Sequence, residues 1–157
     1  MIERFERHAA GSAVGHYRDL YLTGWWTEVS VPSLQHIREH RLEFLRTREG
    51  PVIGIQLVLQ IEAKRLSKEA RALIEQINRD APQRFRAEAF YVAGGSIALA
   101  AVRFVIAGVQ LVNKTEWPLE VFGSTSDAAR WLATHSATPE HELAAAINQF
   151  ARQCGER

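Results

Sequence analysis

Cysteine is nearly absent from this chain. Among its 157 residues there is a single cysteine, Cys154, so no disulfide can form within the chain and no cysteine-based metal site can be assembled. An excess of one charge is also missing, because 19 basic residues balance 18 acidic residues to give a net charge of +1. Proteins that bind nucleic acid or anionic membranes through charge need a basic excess, so the composition argues against both partners.

A targeting leader is the next absence. The chain does not open with a basic segment followed by an apolar run, and we therefore expect a cytoplasmic protein. Its length suits a single globular domain, which buries enough surface to fold without a metal or a disulfide. We expect no cofactor.

One long hydrophobic run is present, and it has the length of a membrane span. Residues 93–112 (AGGSIALAAVRFVIAGVQLV) are mostly apolar, with Arg103 near their centre. Placing an arginine at the bilayer centre costs about 2.5–3.5 kcal/mol, and neither end carries the flanking pattern of a span. We therefore expect no membrane span here, but a helix over 97–112 that is largely covered by protein.

Hydrophobic patterning predicts an alternation of strands and helices. The predicted strands are rich in apolar, aromatic or β-branched residues and cover 2–8, 17–26, 52–59, 85–92 and 119–122. Apolar residues at helical spacing predict five helices, of which the last two follow one another after the final strand. The order β-β-α-β-α-β-α-β-α-α predicts an α/β fold with a mostly parallel sheet and one antiparallel N-terminal edge strand.

Three local sequences fit this order and carry a family resemblance. They are LTGWWTEVS at 22–30, VIGIQLVLQ at 52–60 followed by LSKEARALI at 66–74, and VFGSTSDAARWL at 121–132. With the element order, they make the chain resemble the STAS domain, the fold of bacterial anti-sigma factor antagonists, in its STAS/SEC14-like variant. The resemblance covers residues 1–134, and residues 135–157 are expected to form a helical appendage of the same domain.

The resemblance implies a protein–protein interaction or regulatory module that is not an enzyme. In members switched by phosphorylation, a D-S-[ST]-G motif begins the second helix. Here Ser67 stands at the place of the aspartate, and Lys68 and Glu69 replace the hydroxyl residues. We therefore expect the switch to be absent and Ser67 to be the N-cap of that helix, with phosphorylation of Ser67 as the alternative.

Several side chains are candidates for contact with a protein partner. Trp25 and Trp26 are adjacent in a predicted strand, so they point to opposite sides. One of them belongs to the core, and the other is exposed unless the N-terminal strand or the last helix covers it. An exposed aromatic residue is typical of interfaces. The candidate partner contacts are Ser67, Lys68, Arg71, Trp25 and Phe104.

The predicted helix 97–112 is hydrophobic around more of its circumference than one sheet face can cover. One face contains Ile97, Ala101, Phe104, Val105 and Val109, whereas Val102, Ile106 and Leu111 lie off that face. The surplus must meet the last helix, another protein or a second subunit, and we expect a homodimer. A SEC14-like protein that binds a small molecule or lipid beside this helix is the alternative.

Two further patterns invite a site. His36 and His40 lie four residues apart on a predicted helix, but H-E-x-x-H is absent and no acidic residue nearby in sequence completes a ligand set. We expect a solvated charged face there and no metal. Gly94, Gly95 and Ser96 join a strand to a helix, where they either bind an anion or form a tight turn and cap. No catalytic motif is recognised, and an enzyme of unrecognised type is the third reading.

Overall fold

The computed structural model describes residues 1–60, 66–112 and 115–155. The sequence analysis places Val109 on the main apolar face of the helix 97–112 and Leu111 off that face. Both side chains lie outside the described residues. The strands are β1 (Arg4–His8), β2 (Ser12–Tyr17), β3 (Leu20–Trp25), β4 (Val52–Val58), β5 (Phe85–Val92) and β6 (Leu119–Phe122), and the α-helices are α1 (Val31–Thr47), α2 (Lys68–Arg79), α3 (Gly95–Val112), α4 (Thr125–Ala133) and α5 (Glu140–Gly155).

The described strands form one sheet in the order β1-β2-β3-β4-β5-β6. The first three strands pair antiparallel, and β3 to β6 pair in parallel. The predicted α/β fold with a parallel sheet and an antiparallel N-terminal edge is therefore confirmed. The predicted strand over 17–26 is present as β3 but begins only at Leu20, because Arg18 adopts a left-handed φ of 50° and turns the chain between β2 and β3. Strand β2 was not predicted.

Serine residues are the N-caps of three helices. Ser30, Ser67 and Ser124 each accept a hydrogen bond from the backbone N–H three residues later, over distances of 3.3, 3.1 and 3.3 Å. Such a cap satisfies a backbone donor that the first helical turn leaves without a partner. The predicted N-cap role of Ser67 is confirmed.

One sheet face, which we call the closed face, is covered by α4 and α5. The side chains of Leu132, Leu143, Ile147 and Phe150 are fully buried against strand residues such as Leu22 and Ile55. Glycine is needed under Phe150, because a Cβ added at Gly15 would lie 2.9 Å from the aromatic ring. Since α5 lies on this face, the alternative in which the last helix covers the surplus of the apolar helix is wrong.

Polar contacts also fix α5 to the strands. The carboxylate of Asp19, in the turn between β2 and β3, accepts hydrogen bonds from the hydroxyls of Ser136 and Thr138, both at 2.6 Å. The Arg7 guanidinium on β1 donates to the carbonyl of Gln153 at 2.7 Å, near the end of α5. The last helix is therefore tied to the sheet at both of its ends.

The other sheet face, which we call the open face, carries α1, α2 and α3. Side chains alternate along β4, so Ile53, Ile55 and Leu57 join the closed face while Val52 packs under α1 and α2. Val58 points to the same side as Val52 and packs under α3. Among the described residues, none of the helices has the length and hydrophobicity that crossing a membrane requires.

Candidate functional site

Helix α3 presents an apolar surface to solvent. Ile97, Phe104 and Val105 are 86%, 82% and 56% exposed, whereas large apolar side chains elsewhere in the described core are buried. Small exposed residues lie between and beside them on the same side of the helix. We call this surface the outer α3 face, and its members are Ile97, Ala100, Ala101, Phe104, Val105, Ala107 and Gly108.

The opposite side of α3 packs on the sheet. Leu99, Val102 and Ile106 contact a small cluster that includes Val92 of β5 and Val121 of β6. The sequence places Val102 and Ile106 off the main apolar face, and they are the residues that bind the sheet. Within one chain the sheet covers the inner side of α3 and leaves its outer side exposed, so coverage of the outer side by another chain stays a prediction.

The outer α3 face is bordered by one charged side chain, that of the exposed Arg103. The helix contains neither lysine nor an acidic residue. The Arg103 guanidinium donates a hydrogen bond to the carbonyl of Val121 at 3.2 Å, so this side chain turns toward the edge of the sheet. From Ile97 to Gly108 the outer α3 face is about 17 Å long, at 1.5 Å per residue.

A cleft of about 280 Å³ lies at the start of α3, between the end of β5 and Gly123. Gly94 and Gly95 have φ values of 105° and 86°, which side-chain-bearing residues rarely adopt, so the two glycines make the tight turn. The described residues that line the cleft include Ser96 and no charged side chain. Anion binding by Gly94, Gly95 and Ser96 remains a prediction.

The candidate contacts on α2 belong to a different helix from the outer α3 face. The Ser67 hydroxyl is engaged as an acceptor for the backbone N–H of Ala70, and Ser67, Lys68 and Arg71 are exposed around the start of the helix. Among the candidate partner contacts, only Phe104 belongs to the outer α3 face.

The assignment of Trp25 as a partner contact is wrong. Trp25 is buried in the cluster under α1 and α2, and its indole N–H donates to the side-chain oxygen of Gln56 at 3.2 Å. Trp26 is only partly buried, and it packs on the closed side with the Arg7 guanidinium 4.9 Å from its ring. The alternation of side chains is as predicted, but the core residue of the pair is Trp25.

The expected solvated face of α1 is wrong at three positions. Arg41 is buried, with its guanidinium 3.9 Å from the centre of the Phe85 ring, and burial lowers its pKa. The side chains of His36 and His40 are only 13% and 12% exposed. Strand β1 approaches them through Glu6, and because β1 precedes α1 by more than 20 residues, helix periodicity did not reveal it.

A buried carboxylate was also missed by the sequence analysis. Glu88 of β5 is buried and accepts hydrogen bonds from Gln56 at 3.0 Å and from the indole of Trp117 at 3.2 Å. Its negative charge favours the charged form of Arg41. The available signal was a glutamate inside a predicted buried strand, because an ionised group in such a place requires partners.

Comparison with solved structures gives an informative likeness. No family model and no curated protein matches the sequence. The structure is similar to that of an uncharacterized protein of the DUF3478 family, described as having a SpoIIAA-like fold, from Shewanella loihica PV-4. The match has a TM-score of 0.59 and 15% sequence identity, and it covers 81% of this chain and 98% of that one. The chain therefore has the SpoIIAA-like fold that the STAS resemblance implies.

Proposed function

We propose that this chain is a non-enzymatic, regulatory protein-interaction module that pairs with a second copy of itself through the outer α3 face. The observation that carries the proposal is the exposure of Ile97, Phe104 and Val105 on one side of one helix. Contiguous apolar surface of this kind marks interaction sites, because monomeric proteins rarely leave it in contact with water.

The chemistry of the face favours a second copy as the partner. A two-fold interface brings the same patch of each subunit together, so a charged patch would meet its own charge. The outer α3 face has only Arg103 at its border, and this side chain is hydrogen-bonded to the carbonyl of Val121, so little charge would meet its own sign. Ala100, Ala101, Ala107 and Gly108 surround Phe104 with small side chains, which allows two helices to approach closely while the aromatic ring fills the space between them.

A membrane surface fits this helix less well. Helices that lie in a bilayer interface combine an apolar face with a polar face rich in lysine and arginine. Helix α3 has one arginine, and that arginine is hydrogen-bonded to β6. The cleft at the start of α3, at about 280 Å³, is at the lower limit of pockets that hold drug-sized ligands, so lipid binding has weaker support than pairing.

Regulation in this module does not use the serine switch of the STAS family. Ser67 is the only hydroxyl residue in the first turn of α2, and its oxygen caps the helix. Lys68 and Glu69 occupy the positions of the family's hydroxyl residues. Mass analysis of protein purified from its own host should show the peptide that contains Ser67 without phosphate, and stoichiometric phosphate there would contradict this part of the proposal.

Sedimentation equilibrium at micromolar concentrations tests the pairing. We expect the full chain to sediment at twice its 17.7 kDa mass, and Phe104→Glu to sediment as a monomer with an unchanged circular dichroism spectrum. Leu42→Glu is the matched control, because Leu42 is an exposed apolar residue on α1 (39%) outside the outer α3 face. A wild-type chain that stays at 17.7 kDa over the whole concentration range would overturn the proposal.

A further inference from the structure

A cluster of possible metal ligands lies at the other end of the sheet order, between the edge strand β1 and helix α1. Its members are Glu6, His36 and His40, and one ligand atom from each lies within 4.8 Å of the other two. His36 and His40 are one helical turn apart, so their rings share a face of α1, and Glu6 reaches them from β1.

Each histidine contacts a different oxygen of the same carboxylate. The Nε2 atom of His36 is 3.1 Å from Oε1 of Glu6, and the Nε2 atom of His40 is 3.0 Å from Oε2. Metal–nitrogen and metal–oxygen distances of about 2.0–2.2 Å place neighbouring ligand atoms of a tetrahedral ion about 3.3–3.5 Å apart. The two nitrogen–oxygen separations are therefore a few tenths of an ångström shorter than one ion requires, and the three ligand atoms all lie within 4.8 Å of one another.

We propose that Glu6, His36 and His40 form a binding site for a divalent first-row transition-metal ion, with Zn²⁺ as the reference ion. Two imidazoles and one carboxylate are a recurrent ligand set for such ions, and they leave at least one coordination position open. Mg²⁺ and Ca²⁺ prefer sites built from oxygen ligands and should not bind here. This site is separate from the outer α3 face and does not depend on the pairing of two chains.

The two histidine rings are held in place before any ion binds. Both rings are largely covered by protein, which limits the rotamer freedom that metal binding would have to remove.

A neighbouring arginine competes for the same carboxylate. The Arg4 guanidinium lies 3.3 Å from Oε2 of Glu6 and 3.0 Å from Oε2 of Glu43. Its positive charge opposes a metal ion on Glu6, whereas Glu43 gives it another partner when the ion binds. Replacing Arg4 by glutamine should therefore tighten metal binding, which no purely structural role of the Glu6–histidine contacts would produce.

The surroundings of His36 should weaken metal binding at this site. Its Nδ1 atom is buried and has no hydrogen-bond partner among the described residues. The ring is instead packed between those of His8 and His40, with centroid distances of 4.8 and 4.7 Å. Loss of an acceptor for the second ring nitrogen typically weakens metal binding by about 10- to 100-fold, so the site should be weaker than a fully supported one.

Titration of the tag-free full chain with Zn²⁺, in competition with a chromophoric chelator, tests the site. We expect one equivalent to bind, with at least tenfold weaker binding in His40→Ala and in Glu6→Gln and tighter binding in Arg4→Gln. His141→Ala is the matched control and should bind like the wild type, because His141 is exposed on α5. Mg²⁺ should not compete.

A second measurement keeps the test decisive if a variant fails to fold. Nitrogen-15 spectra of the histidine rings in the wild-type chain should show Zn²⁺-dependent shifts at the Nε2 atoms of His36 and His40 and none at His141. The proposal would be overturned by the absence of Zn²⁺ binding, by equal binding in His40→Ala, Glu6→Gln and wild type, or by ring shifts confined to other histidines.

Discussion

The closed face of the sheet leaves no large apolar side chain of the described α4 and α5 exposed, whereas the open face leaves three exposed on α3. Helices α4 and α5 pack against each other as well as against the strands, so each covers what the other leaves bare. Helix α3 packs on β5 and β6 and on Val58 of β4, and no second helix covers its outer side in the described part of the chain. The difference supports the proposal that the closed face provides stability and the outer α3 face provides interaction.

Polar groups are also distributed differently between the two faces. The closed face has an apolar core in which burial raises the pKa of the Cys154 thiol to about 12 and keeps it uncharged. The open face contains the buried charges of Arg41 and Glu88, held by Gln56, Trp117 and the Phe85 ring. Substitutions on the two faces should therefore destabilise the fold for different physical reasons.

The largest effect is expected from Phe150→Ala. Phe150 is fully buried on the closed face and packs edge-on against Phe5 at a centroid distance of 5.4 Å. Its removal leaves a cavity and should lower the free energy of unfolding by about 3–5 kcal/mol, measured by urea denaturation. Phe104→Ala is the matched substitution on the outer α3 face and should change the unfolding free energy of the isolated chain by under about 0.5 kcal/mol. Equal losses would remove the distinction between the faces.

A smaller effect is expected from Glu88→Gln on the open face. The substitution keeps the shape of the side chain but removes the charge that accepts from Gln56 and Trp117 and that faces Arg41. Hydrogen bonds to charged groups contribute about 1.5–3 kcal/mol, and the loss should lie in that range in thermal or urea denaturation. Glu120→Gln, at an exposed position of β6, is the control. A comparable loss of unfolding free energy in that variant would contradict the role of the buried charge.

The smallest effect is expected from Ser67→Ala at the start of α2. Loss of the cap to Ala70 should reduce stability by about 1 kcal/mol. Arg71→Ala, at an exposed position one turn later, should change it by less than about 0.5 kcal/mol. If the two variants melt at the same temperature, the Ser67 hydroxyl contributes nothing as a cap.

Local signals account for what the sequence predicts well. Capping serines, apolar periodicity and the alternation of strands and helices predict the helices and the parallel strands, since these depend on neighbours within a few residues. The sequence analysis missed strand β2 because this short segment contains Gly15 and ends in the turn at Arg18. It therefore shows no clear alternation of apolar and polar residues. The pairing of β3 with β4 decides that Trp25 faces the core, and register is not visible in one strand alone.

The candidate sites depend on contacts between residues that are far apart in the sequence. Glu6 and His36 are 30 residues apart and meet only because β1 takes the edge position beside β2, next to α1. The orientation of α3 was not predictable, because a helix that is apolar on nearly every side has no polar face to mark its outside. Its surplus of apolar surface was predictable, and so was the expectation that another surface must cover it.

Isotope-filtered NMR on an equal mixture of labelled and unlabelled chains tests the pairing of two α3 helices most directly. We expect contacts between chains from the Phe104 ring to the methyl groups of Ile97 or Val105, and these contacts should vanish in Phe104→Glu. Intermolecular contacts that map only to α1 or β1, or a mixture without any, would contradict the assignment of the outer α3 face as the subunit interface.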